Sequence, residues 1–115
     1  MVLIDRLTNR AKERERLLIE GWLKLATGEF DKVREQGIAM VQATLAEEGC
    51  LHYSFAQDIA DPDLIRISER WASQEALAAH SASAHMAEFN KAMAGVKREG
   101  ADLRLYSADE VRKLM

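Results

Sequence analysis

The residues with the most chemical reach lie in the run ERWASQEALAAHSASAH, residues 69–85. It holds two of the chain's three histidines, His80 and His85. An imidazole changes charge near neutral pH, so a histidine held against a polar partner is a candidate general base. His80 stands three residues after Leu77, and on one helical turn both side chains can face the same sheet. On that sheet Glu69 shares the apolar face with Trp71. An acid on a buried face needs a partner. A Glu69–His80 contact, direct or through water, would satisfy both groups and orient the imidazole; the same contact is also what an ordinary structural helix-to-sheet hydrogen bond provides. His85 stands near the start of the next helix, either at a pocket mouth with Met86 and Phe89 or in solvent on a first turn. Tyr53 offers a hydroxyl that would bind a substrate oxygen or simply be satisfied in a core. Trp71, Met86, Phe89 and Met93 suit packing, and methionine surfaces also adapt to flat apolar ligands. No metal is expected: five residues across a helix break is not a ligand motif, and no third ligand stands at a recognisable spacing. Cys50 has no activating base near it in sequence and reads as inert.

These groups need a frame. Residues 17–25, LLIEGWLKL, alternate as a strand, with Leu17, Ile19, Gly21, Leu23 and Leu25 on one face. Thr27-Gly28 marks a turn. Residues 29–47 repeat Phe30, Val33, Gly37, Met40, Val41 and Thr44 at helical spacing, with Glu29 and Asp31 in the first turn and Gly49 as the expected C-cap. Residues 50–58 alternate with Leu51, Tyr53 and Phe55 on one face and Cys50, His52 and Ser54 on the other. Asp61-Pro62-Asp63 turns the chain into a third strand over 64–71, which makes a hairpin. Ser73 and Ser83 are N-caps for helices over 74–80 and 84–96. Residues 102–106 form a fourth strand. Ser107 and Glu110 make a capping box for a terminal helix. Residues 1–16 suggest a short amphipathic helix, which is marginal alone. The expected organisation is a helical extension over 1–16, a domain over 17–107 and a helical extension over 108–115. The order β-α-β-β-α-β is the ferredoxin-like, α+β pattern.

Helices covering the Leu17/Tyr53/Ile65/Trp71 face leave Glu20, Trp22, Lys24, His52, Ser54, Arg66, Ser68 and Arg70 on the other. Trp22 is large and apolar for an open surface, so that face is expected to pair with a second copy of the chain. The length, 115 residues, fits one domain with a proper core. A composition of 48% hydrophobic and 30% charged residues excludes wholesale disorder. A net charge of −3 argues against nucleic-acid partners, which demand a basic footprint. The single cysteine excludes an intrachain disulfide and a thiolate cluster. No apolar run is long enough for a membrane helix, no signal peptide is evident, and the expected compartment is the cytoplasm.

The stretch from Gly49 to His85 resembles the antibiotic biosynthesis monooxygenase family. The resembling residues are Gly49-Cys50-Leu51 with Tyr53, Asp61-Pro62, Glu69-Arg70-Trp71, Ser73, Glu75-Ala76, His80 and His85. The first strand, Gly28 and the first long helix fit as well, so the likeness spans about residues 17–107. It implies a dimeric α+β barrel of two sheets face to face, with a pocket between sheet and helices in each subunit. It further implies oxidation of a small aromatic substrate, a quinol or polyketide phenol, by O₂ without a cofactor. His80 would be the base beside Glu69, with Tyr53, Trp71, His85, Met86 and Phe89 around the substrate. Haem-degrading relatives place an Asn on the first strand, a Trp on the helix after strand three and a His on the next helix. Here those regions hold Glu20-Gly21-Trp22, His80 and Asn90, and that set is not matched. An isomerase of a small oxygenated metabolite and a non-catalytic dimeric binding protein remain alternatives within the resemblance.

Overall fold

The computed structural model describes residues 15–115. Alternating side chains form β1 (Glu15–Leu25), and a turn through Gly28 leads into a 3₁₀ turn, Glu29–Lys32. Then follow α1 (Arg34–Leu45), β2 (Cys50–Gln57), β3 (Leu64–Trp71), α2 (Gln74–Ser81), α3 (Ala84–Met93) and β4 (Arg98–Asp109). The strands form one antiparallel sheet in the order β2-β3-β1-β4. With β1 between β3 and β4, the two β-α-β halves interleave. This is the ferredoxin-like α+β topology expected from the element order.

The helices cover one face of the sheet. Val33, Gly37, Met40 and Thr44 recur every three or four residues and are all buried, so the long helix docks along a single stripe. Below it lie two apolar clusters. One joins Leu25, Val33, Ile65, Met93 and Val96; the other joins Leu17, Met40, Tyr53 and Trp71. Phe55 and Phe89 pack against both. Gly21 lets the edge strand approach: a Cβ there would lie 1.8 Å from the Asp102 carbonyl oxygen. Among the described residues no helix is long and apolar enough to cross a membrane.

Several expectations are corrected. The terminal helix from Ser107 does not form. Ser107, Ala108 and Asp109 instead continue β4 opposite Leu17, Arg16 and Glu15, and residues 110–115 have no regular structure. The N-terminal extension of β1 supplies a ladder for these backbone groups, whereas a short terminal helix gains little by itself. The helix expected over 1–16 falls outside the described residues, except that residues 15 and 16 open β1. Gly49 is not the cap of α1, which ends on Ala46; it takes φ +81° in the turn before β2. A register shift between Cys50 and His52 overturns the expected alternation there. Cys50 packs against the Trp71 cluster, and Leu51 is turned out and exposed.

Candidate functional site

The second cluster is where the candidate residues meet. Glu69 and Tyr53 are direct cross-strand partners on β3 and β2, and Trp71 stands two residues beyond Glu69 on the same face. Both Glu69 and Trp71 are buried, at 8% and 0% exposure. The indole Nε1–H of Trp71 donates to Glu69 Oε1 at 2.9 Å. Burial pushes the Glu69 carboxyl above its usual range, against the opposing effects of this hydrogen bond and of His80. Burial also pushes the Tyr53 phenol well up, helped by the neighbouring charges of Glu69 and Glu47, so Tyr53 keeps its proton and remains a donor.

His80 closes the cluster from above, on the last turn of α2 and 3% exposed. Its ring lies 4.8 Å from the Trp71 ring and 5.3 Å from that of Tyr53, centroid to centroid. Two serines fix this position. Ser73 accepts from Ala76 N at 3.1 Å and caps α2. Ser83 donates to the His80 carbonyl at 2.6 Å and accepts from Met86 N at 3.2 Å, so one hydroxyl ties the end of α2 to the start of α3. Met86 and Phe89, on α3, pack against the Tyr53–Trp71 cluster, as their spacing suggested.

The partner of His80 is not Glu69. Its Nδ1 lies 3.2 Å from Glu47 Oε1, in the loop after α1. His85 Nε2 abuts the same Oε1, and the His80 and His85 rings are 5.9 Å apart. The expected Glu69–His80 hydrogen bond is thus replaced by two separate pairs, Trp71–Glu69 and His80–Glu47. The reason is reach: Trp71 satisfies Glu69 from its own strand, which leaves the imidazole for the carboxylate arriving from α1. Glu47 escaped the sequence reading because it is 33 residues from His80 and marked by no local spacing. Cys50 stands at the edge of the cluster with its thiol pushed up by burial, which agrees with an unreactive sulfur.

Two spaces adjoin these residues. A cavity of about 40 Å³ between sheet and helices is lined entirely by apolar side chains, Phe55 and Phe89 among them. Phe55 in turn packs at a tilt against Tyr53, with ring centroids 5.1 Å apart. A broader groove of about 700 Å³ runs between α1 and α3, with Met40, Phe89 and His85 in its wall and Gln36, Glu88 and Lys91 on its polar rim. An arrangement of this kind offers a buried imidazole with an orienting carboxylate, a phenolic donor, and aromatic walls.

The sequence profile of the antibiotic biosynthesis monooxygenase family matches residues 6–92. No curated protein matches the chain. Among solved structures, a Deinococcus radiodurans protein given the same family name superposes with TM-score 0.76 at 24% identity, covering 86% of this chain and 98% of its own. A Caulobacter crescentus protein, also given that family name, reaches 0.75 at 16% identity over 90% and 99%. A conserved protein of Methanosarcina mazei reaches 0.74 at 18% identity over 84% and 96%. At these identities the structural likenesses speak for the fold.

Proposed function

The chain belongs to the antibiotic biosynthesis monooxygenase family, and on that premise we propose that it is a small monooxygenase that oxidises a phenolic or quinol-type aromatic substrate with O₂ and no organic cofactor. The observation that carries the reading is His80, buried between the Trp71 and Tyr53 rings with Glu47 on its Nδ1. With the proton on Nδ1 donated to Glu47, Nε2 holds the free lone pair and is the base. The carboxylate that orients it is therefore Glu47, in place of Glu69.

The chemistry asks little of the protein. An activated aromatic CH₂ or phenol supplies its own electrons once deprotonated. In the anthrone-type case two C–H bonds break, one oxygen atom becomes the new carbonyl, and the other leaves as water with both hydrogens. The protein removes a proton and stabilises the anion; Tyr53, held protonated, donates to the anionic oxygen. We seat the aromatic ring in the α1–α3 groove, whose lining includes Met40, His85 and Phe89. The smaller cavity is too small for such a ring, and its apolar lining, which offers water no hydrogen-bond partner, suits a diatomic gas.

The reading extends to the assembly. The sheet face away from the helices carries Trp22, which is half-buried against Gly100, together with Tyr106 and Leu51, each 47% exposed. We infer that two copies pair through this face. The test of function is oxygen uptake by flavin-free, metal-free protein with hydroquinones, naphthols and anthrone-like phenols. Uptake above the uncatalysed rate in the wild type, lost in folded His80→Ala, supports the proposal. Uptake unchanged in His80→Ala refutes the role of the base. Turnover that needs no O₂ would indicate an isomerase, and tight ligand binding without turnover a binding protein.

A further inference from the structure

Glu47, His80 and His85 come from three separate segments: the loop after α1, the end of α2 and the start of α3. Their ligating atoms all lie within 4.8 Å of one another. The side chains are largely withdrawn from solvent, with 16%, 4% and 26% of their surface exposed. Both histidine nitrogens converge on a single carboxylate oxygen, Glu47 Oε1. Glu47 Oε2 is buried without a hydrogen-bond partner, and buried His85 Nε2 makes no hydrogen bond of good geometry beyond its close approach to Glu47 Oε1. Buried polar atoms are rarely left so, and orphaned donor atoms crowded at one point are what a cation would satisfy.

We propose that Glu47, His80 and His85 bind a divalent first-row transition-metal ion, with His80 ligating through Nδ1 and His85 through Nε2. Two imidazoles and one carboxylate suit Zn²⁺, Co²⁺, Ni²⁺ or Fe²⁺, whereas Mg²⁺ and Ca²⁺ take oxygen ligands. An ion bonded at about 2.1 Å sets neighbouring donors roughly 3–3.5 Å apart, so only small side-chain movements separate the observed cluster from a loaded one. Three protein ligands leave at least one position open for water or a substrate oxygen, and His85 also lines the α1–α3 groove. The ligands are braced before an ion arrives. Ser83 fixes the joint between the two histidines, and the His80 ring is clamped by Trp71 and Tyr53. Two neutral imidazoles and one carboxylate bring a charge of −1 to the ion.

Metal binding goes beyond the oxidation reading and does not rest on it. It also has a definite relation to it. Ligation through Nδ1 moves the imidazole proton to Nε2, so a loaded site has no free lone pair on His80. The metal-free and metal-bound proteins are therefore two different chemical states at one cluster.

The test is a titration of the chelator-stripped, full-length protein with Co²⁺ alone, with no organic substrate present. Visible d–d absorption should grow to saturation at one equivalent per chain. His85→Ala and Glu47→Gln should each weaken binding at least tenfold. His52→Ala, which removes the histidine outside the cluster, should leave it unchanged. Thermal melts of the metal-free variants report whether they fold. In the wild type, paramagnetic perturbation of the His80 and His85 ring resonances by Co²⁺ gives a second readout that needs no variant. Failure to saturate at one equivalent, or binding that survives both His85→Ala and Glu47→Gln, overturns the proposal. Because the readout is binding, its failure is separate from a failure of oxygen uptake.

Discussion

Removing the Trp71 indole donor tests the logic of the cluster most directly. Trp71→Phe keeps an aromatic ring but deletes the N–H that meets Glu69 Oε1 at 2.9 Å. Trp71 is fully buried and Glu69 nearly so, so no water takes the place of the lost donor. A hydrogen bond to a charged group is worth about 1.5–3 kcal/mol, and the missing part of the ring leaves a cavity besides, so the single substitution should cost about 2–4 kcal/mol. Glu69→Leu alone strands the indole N–H but also relieves the burial of a carboxylate. The double variant strands nothing. The cycle of wild type, Trp71→Phe, Glu69→Leu and the double variant should therefore show a coupling of about 1.5–3 kcal/mol, the double being more stable than the singles predict. Urea unfolding at fixed protein concentration and pH measures it, the fixed concentration guarding against any contribution from self-association. Additive effects, within about 0.5 kcal/mol, would refute the argument that this pair, and not a Glu69–His80 contact, satisfies the buried acid.

Glu69 also predicts a pH dependence. Burial raises its carboxyl above the ordinary value of 4.5, so the native state binds this proton more tightly than the unfolded chain does. Stability from this group is thus fully present below the unfolded value and is lost as pH rises through the folded one. Urea melts between about pH 4 and 8 should show this falling component in the wild type and not in Glu69→Gln; a constant difference between the two across that range contradicts it. Gly21→Ala should destabilise by about 3 kcal/mol, the upper end of overpacking, because the added Cβ meets backbone and not a flexible side chain. Faster amide exchange in β4 than in β2 would locate the damage, and a melt within error of wild type would show that the strands do not approach so closely. Trp22→Glu should break the inferred dimer, and light scattering at micromolar concentration reads it: a wild type that is already monomeric removes the reason for the prediction.

The frame was largely legible from the chain. Periodicity placed β3 at its observed ends and the serines at positions 73 and 83 as caps, because these features depend on neighbours within a few residues. The same locality explains the misses. Ser107 and Glu110 carry a good capping box, yet the local preference yields to a strand that pairs with β1. The shift at Cys50 and Leu51 is a property of the β2–β3 pairing, and neither residue type announces it.

Taken alone, the amino-acid sequence determined the element order of the domain, the apolar stripe that docks α1, the apolar face of the sheet, and the nearness of His80 to His85 and of Glu69 to Trp71. Each follows from side-chain period or from short chain separation. Only the tertiary structure decided which polar group meets which. Glu69 had two partners within reach of its face, and the geometry gave it the indole. Glu47 carried no signal along the chain; the docking of α1 over β2 and the turn at Gly49 bring it beneath the two histidines. A hydrogen bond or a ligand set is fixed by distances of a few tenths of an ångström between groups far apart in sequence, and those distances exist only once the core has packed.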